Sequence, residues 1–203
     1  MAQHKNKGWQ MRERLAQIAA EYISKTGSQD YQLAKNKAAN QLGVAETSTL
    51  PSNKEIYQAL IDYQHIFRAD EQPAQLKIHR EVALEAMRFF EQYKPRLVGA
   101  VLDGTADVHS AIYLHLFADT SEEIAVRLMD NHIPYDEEQK RLHTKTDVYE
   151  YFPGFAFLAD EVPVHLIIFP PQGLHHAPLS SVDGKPMQRA DIKAVSQLIS
   201  NII

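Results

Sequence analysis

The sequence predicts an α+β protein, with an N-terminal helical region over residues 1–94 followed by an α+β domain with a mixed β-sheet and flanking helices over residues 95–203. Three observations carry this expectation. Apolar residues recur at helical spacing up to about residue 94, the period shortens to that of strands from Arg96, and a last helical stripe closes the chain. The resulting order of helix, strand, strand, helix, strands, helix mixes the two element types in the α+β manner.

The first stripe is Met11, Leu15, Ile18, Ala19, Tyr22 and Ile23, with Gly27 as its stop. Leu33, Ala34, Ala38 and Leu42 form the second, ended by Gly43. A polar connector, Val44 to Pro51, leads to Ser52 and Glu55, which read as a capping box opening a third helix with Ile56, Leu60, Tyr63 and Phe67 inward. Arg68 to Pro73, RADEQP, is a charged boundary before a fourth helix from about Ala74 to Tyr93, whose stripe is Ile78, Val82, Ala86, Phe89 and Tyr93 and which Pro95 ends. Leu97 to Leu102 and Ile112 to Phe117 are short apolar runs around a Gly-containing loop and predict strands. Thr120 with Glu123 caps a helix to about Asn131, with Ile124, Leu128 and Met129 inward. Weaker strand signals span Arg141 to Thr146 and Val148 to Leu158, and a strong one spans Val162 to Phe169. The last helix, Ala190 to Ile202, places Ile192, Val195, Leu198, Ile199 and Ile202 on one side.

A chain of 203 residues with 44% hydrophobic content can bury a core without help. The absence of cysteine excludes disulfides and thiolate metal sites and fits a reducing cytoplasm. No run is long or apolar enough to span a bilayer, and the start, MAQHKNKGWQ, is polar where a signal peptide would turn apolar, so neither membrane insertion nor export is expected. The net charge of −5 is uneven: residues 1–94 carry 13 basic against 11 acidic side chains, and residues 95–203 carry 8 against 15. Nucleic-acid binding draws most of its affinity from phosphate contacts, so an RNA partner is expected to use the helical half, where Lys5, Lys7, Arg12, Arg14, Lys25, Lys35 and Lys37 give a mild basic excess. A solvated helix face explains the same residues.

Residues Leu97 to Phe117 read LVGAVLDGTADVHSAIYLHLF. The stretch resembles the active-site frame of the nucleotidyltransferase superfamily, in which a strand ends in a Gly-Ser turn, an Arg-Gly-Thr-Ala loop follows, and a second strand begins Ser-Asp-x-Asp. Gly99 sits at the turn, Gly104, Thr105 and Ala106 in the loop, and Ser110 and Ile112 on the second strand. The resemblance covers residues 96–170 and implies an uncharacterised, bacterial nucleotidyltransferase-like chain with a degenerate active site. The Ser of the turn is Ala100, the loop Arg is Asp103, the two aspartate positions are Ala111 and Tyr113, and the third carboxylate position, on the later strand VPVHLIIF, falls at His165. Nucleotidyl transfer uses two magnesium ions held by carboxylate oxygens, and two acids one residue apart on a strand share a face. With those acids gone, weak or absent magnesium-nucleotide binding and no cofactor are expected.

The ligand-binding candidates are Gly99, Gly104, Thr105, Ser110, Tyr113, His115 and His165, and the expected function is non-catalytic binding of a nucleotide-like ligand, an RNA or a protein partner. Gly104 and Thr105 read either as an anion-holding turn or as a plain structural one. A second reading is an enzyme of altered chemistry built on His109, His115 and His165, since three imidazoles suit zinc, nickel or iron. A third is a structural subunit that forms homo-oligomers through its helical half. Pro170 to Met187, PPQGLHHAPLSSVDGKPM, is a long aperiodic connection whose four prolines favour a fixed loop across the sheet edge, and His175 and His176 have no partner spacing that suggests catalysis. AANQLGV at Ala38 to Val44 resembles half of a helix-turn-helix, but the connector after it is too long for one. No phosphate-binding Gly-x-x-x-x-Gly-Lys-Thr loop occurs.

Overall fold

A computed structural model describes residues 2–44 and 50–200, with side chains from Gly8 onward. Lys5 and Lys7 of the basic excess, Ile202 of the last stripe and most of the 44–51 connector therefore lie outside what is described. The chain divides into two compact units, one of residues 1–73 with 107–110 and one of residues 74–106 with 111–203.

The first unit is built on three helices, α1 (Ala2–Thr26), α2 (Tyr31–Leu42) and α3 (Asn53–Phe67). Their ends are set by the residues that the sequence offers. Gly27 takes φ +66 and Gly43 φ +63, left-handed values that cost glycine nothing. Asp30 accepts from the Leu33 N–H at the start of α2, and Ser52 and Glu55 form the reciprocal capping box of α3. Leu15, Ile18, Ala19 and Ile23 of α1 pack with Ala34, Ala38, Ile56 and Leu60. The inner face of α3 is turned from the expected stripe: Gln64 is buried, whereas Phe67 is 66% exposed. The loop 107–110 belongs to this unit. Ser24 Oγ donates to Asp107 Oδ2 (2.7 Å), and a side chain on Gly27 would collide with the His109 carbonyl.

The second unit is a five-stranded mixed sheet in the order β1-β2-β5-β4-β3. Its strands are β1 (Arg96–Val98), β2 (Ile112–Phe117), β3 (Asp136–Lys145), β4 (Val148–Ala159) and β5 (Val162–Phe169). Only β2 and β5 pair in parallel. Four helices accompany them, α4 (Gln72–Phe89), α5 (Ala100–Asp103), α6 (Glu122–Asp130) and α7 (Ile192–Ser200). Ile112, Leu114 and Leu116 of β2 and Val164, Leu166 and Ile168 of β5 share one face, as alternation demands, and pack against Met87 and Phe90, Ile124 and Leu128, and Val195. Each such fully buried side chain contributes about 1.5–3 kcal/mol.

The sequence boundary at residue 94 marks where the period changes, but packing divides the chain at 73/74. The reason is that Val82, Ala83, Met87 and Phe90 belong to the core of the sheet. The fourth stripe also ends sooner than expected, at Phe89, with a 3-10 turn over Glu91–Tyr93, and Ile78 is exposed. Arg127 closes the end of α4, donating twice to the Phe89 carbonyl (3.0 and 2.8 Å). The expected strand Leu97 to Leu102 stops at Val98, because Gly99 (φ +74) turns the chain into α5. Met129 is exposed, and β3 begins at Asp136, five residues before its apolar signal. Among the described residues no helix is long and apolar enough to cross a membrane.

Candidate functional site

Strand alternation leaves a second sheet face carrying Tyr113, His115 and Phe117 from β2 and His165, Ile167 and Phe169 from β5. The parallel register sets Tyr113 directly beside His165, and their rings stack with centroids 4.8 Å apart and planes 10° apart. Glu138 joins them from β3, although β4 lies between. Gly154 of β4, register partner of both Glu138 and Ile167, makes this reach possible: a Cβ there would stand 3.2 Å from Glu138 Cγ and collide with the Leu166 carbonyl. Across that gap the Glu138 carboxylate meets His165 Nδ1 at 2.9 and 3.1 Å. Lys140, two residues along β3, holds its ammonium 5.1 Å from the Tyr113 ring centre. Burial, and then the negative Glu138, raise the Tyr113 phenol above its ordinary pKa, so it stays a hydrogen-bond donor at neutral pH.

His115 is fully buried beside this group. Its Nδ1 accepts from Arg189 Nε (3.0 Å), which assigns the imidazole proton to Nε2, and that nitrogen has no hydrogen-bond partner. Burial first, and Arg189 second, hold its pKa well below the ordinary value. The Arg189 guanidinium also lies about 5 Å from the Phe117 and Phe169 ring centres and donates to the Gly173 carbonyl (2.7 Å). Burial, with Arg96 adding to it, lowers its pKa to about 10. Arg189 thereby fastens the end of the Pro170–Met187 segment, which is a fixed loop. The loop opens with a 3-10 turn at Pro171–Leu174, the Leu179 N–H donates to the His143 carbonyl at the β3 edge (2.6 Å), and Ala190 pairs with Leu97. His175 and His176 are exposed on it.

The remaining sequence candidates lie elsewhere. Gly99 is the β1–α5 turn. The N–H groups of Gly104, Thr105 and Ala106 all point at the Ala100 carbonyl (3.0–3.1 Å), and Asp103 Oδ1 takes both the Thr105 N–H and its hydroxyl. The loop closes on itself, so the plain structural turn is the better description of Gly104 and Thr105. Ser110, whose Oγ accepts from the Asp107 N–H, and the exposed His109 belong to the helical unit through the 107–110 loop. Among the described residues no three His, Asp or Glu side chains converge as a metal site would require. His115 and His165 each have Nδ1 engaged, by Arg189 and Glu138, which leaves the His109, His115, His165 alternative without a shared centre.

Sequence reasoning brought Tyr113, His115 and His165 to one place and missed Glu138, Lys140 and Arg189. The available signal was Gly154, since a glycine inside a strand marks close approach of another group. The chain matches no protein-family model, no curated protein and no solved structure.

Proposed function

We propose that this chain is a non-catalytic relative of the nucleotidyltransferases that binds a nucleotide-like ligand on the Tyr113–His165 face of its sheet. The observation that supports this reading is the register of β2 and β5. It puts two of the positions that the resemblance assigns to metal-binding carboxylates side by side, and they hold a stacked phenol and imidazole. Two divalent ions and a triphosphate need fixed negative ligands, which Ala111, Tyr113 and His165 do not supply. A flat aromatic pair with an ammonium at its edge suits a planar, anionic molecule instead. The protein acts in the cytoplasm on this reading.

Melting curves test both halves of the proposal. A site saturated at one hundred times its Kd stabilises by about 2.7 kcal/mol, roughly 5–11 °C for a chain of this size. With magnesium and ATP, CTP, GTP or UTP the expected shift is near zero, and a clear shift or any label transfer would return the protein to the enzymes. In EDTA, a nucleoside monophosphate should raise the melting temperature of the native chain and not of Lys140→Ala. A full panel without effect would remove the ligand reading. Ala111→Asp with Tyr113→Asp and His165→Asp should create measurable magnesium binding.

One observation favours a second reading, an enzyme of altered chemistry. Glu138 orients His165 through Nδ1, as a carboxylate orients a general-base imidazole and leaves Nε2 to take a proton.

A further inference from the structure

The other face of the β3–β4 hairpin carries a second group of planar side chains. Alternation and register place Arg141 opposite Tyr151 and His143 opposite Tyr149 on that face, away from Glu138 and Lys140. The His143 ring lies parallel to Tyr149 (4.6 Å between centres, 14° between planes), and the Arg141 guanidinium sits 4.0 Å from the Tyr149 ring centre. Three flat groups are thus already stacked before any partner arrives. Tyr151 stands beside them 66% exposed, Tyr149 is 51% exposed, and among the described residues no ring or cation stacks on Tyr151. Charge along β3 is segregated in the same sense. Asp136, Glu137 and Glu138 occupy its start, while Lys140, Arg141, His143 and Lys145 occupy the half that carries the tyrosines, with no acid among them.

We propose that this aromatic and basic face, Arg141, His143, Tyr149 and Tyr151, binds single-stranded nucleic acid. Stacking on aromatic rings and guanidinium planes is indifferent to sequence, because every base has a flat face, and nearby cations take the phosphates. Tyr149 and Tyr151 lie two residues apart on one strand, roughly 7 Å, a spacing at which each ring can receive its own base. The charge placement favours a polyanion over a protein partner. Paired bases are already stacked and offer no free faces, so single strands are favoured over a duplex. This surface is separate from the Tyr113–His165 face, and its test is independent of the function proposed there.

The experiment is fluorescence anisotropy with the full chain and labelled twelve-nucleotide probes: oligo-uridine RNA, oligo-thymidine DNA and a duplex RNA. Single strands should bind, RNA and DNA being ranked by the two probes, and affinity should fall as salt rises. Tyr151→Ala should weaken binding about tenfold and Tyr151→Phe should restore it, the phenylalanine keeping the ring. Arg141→Glu should weaken it more and flatten the salt dependence. Both side chains are exposed, so the fold should tolerate these changes; if Tyr151→Ala lowers the melting temperature, Tyr151→Thr keeps strand propensity and replaces it. The proposal is overturned if neither single strand binds, if the duplex binds as tightly, if Tyr151→Ala and Arg141→Glu leave affinity unchanged, or if only a protein partner is retained on this face.

Discussion

His115 couples protonation to stability. In the unfolded chain its pKa is about 6.5, whereas the folded protein holds it well below that, because burial and then Arg189 oppose a second cation. Below pH 6.5 the unfolded chain takes up a proton that the folded chain refuses. The contribution of the neutral imidazole is therefore complete above that pH and is lost as pH falls toward the folded pKa, at a slope approaching about 1.4 kcal/mol per pH unit. Urea unfolding between pH 8 and 5 should show this slope in the native chain and a shallower one in His115→Asn, whose amide oxygen can still accept from Arg189. Equal slopes would mean that other groups carry the acid sensitivity. Tyr113, His115 and His165 were legible in the sequence because alternation with period two fixes which residues share a strand face. Glu138, Lys140 and Arg189 were not, because strand pairing and the return of a long loop bring them to that face across 27, 27 and 74 residues of chain from His165, Tyr113 and His115.

At the level of elements, α3 shows how a local signal becomes a tertiary one. Ser52 and Glu55 close the capping box, and the same Glu55 carboxylate accepts from Arg12 Nε and Nη2 at 2.7 and 2.8 Å, joining the start of α3 to α1. The guanidinium and the cap bonds pull the Glu55 pKa down to about 2. Its contribution is present above the unfolded carboxylate value and lost as pH falls toward 2. Both partners are more than a third exposed, so solvent screening keeps the pair's share small. Ser52→Ala should cost about 1 kcal/mol. Denaturant midpoints of Ser52→Ala, Arg12→Ala and the double variant should be less than additive, since the two groups share one carboxylate; strict additivity would separate cap from ion pair. Elements with punctuated ends were legible for this reason, as Gly27, Gly43 and Ser52 with Glu55 show. The Leu97–Leu102 run was misread because one helical turn with Val101 buried has the same apolar signature as a strand, and only the φ of Gly99 distinguishes them.

At the scale of the molecule, two hydrophobic cores divide the chain in a way that no composition shift announces. Leu15 and Ile56 belong to one, Leu114 and Leu166 to the other, and α4 goes with the second although its sequence reads as the last of four similar helices. The short loop 107–110, flanked on both sides by residues of the sheet unit, counts with the helices. Its bonds explain this: Asp107 takes the Ser24 hydroxyl through Oδ2 and the His109 N–H through Oδ1, while Ser110 and Asp107 exchange bonds with each other. Amide exchange should follow these cores rather than the order of the sequence. Leu15→Ala and Leu166→Ala each remove a fully buried side chain and should each cost about 2–5 kcal/mol. Where units open separately, the loss appears only in the amides of the unit that was weakened. Leu15→Ala should therefore speed exchange in α1 to α3 and at the amides of Asp107 and Ser110, leaving β2 and β5 protected. Leu166→Ala should do the reverse. If the Asp107 and Ser110 amides follow Ile112 to Phe117 in both variants, the loop is an appendage of the sheet and its bonds to α1 contribute little.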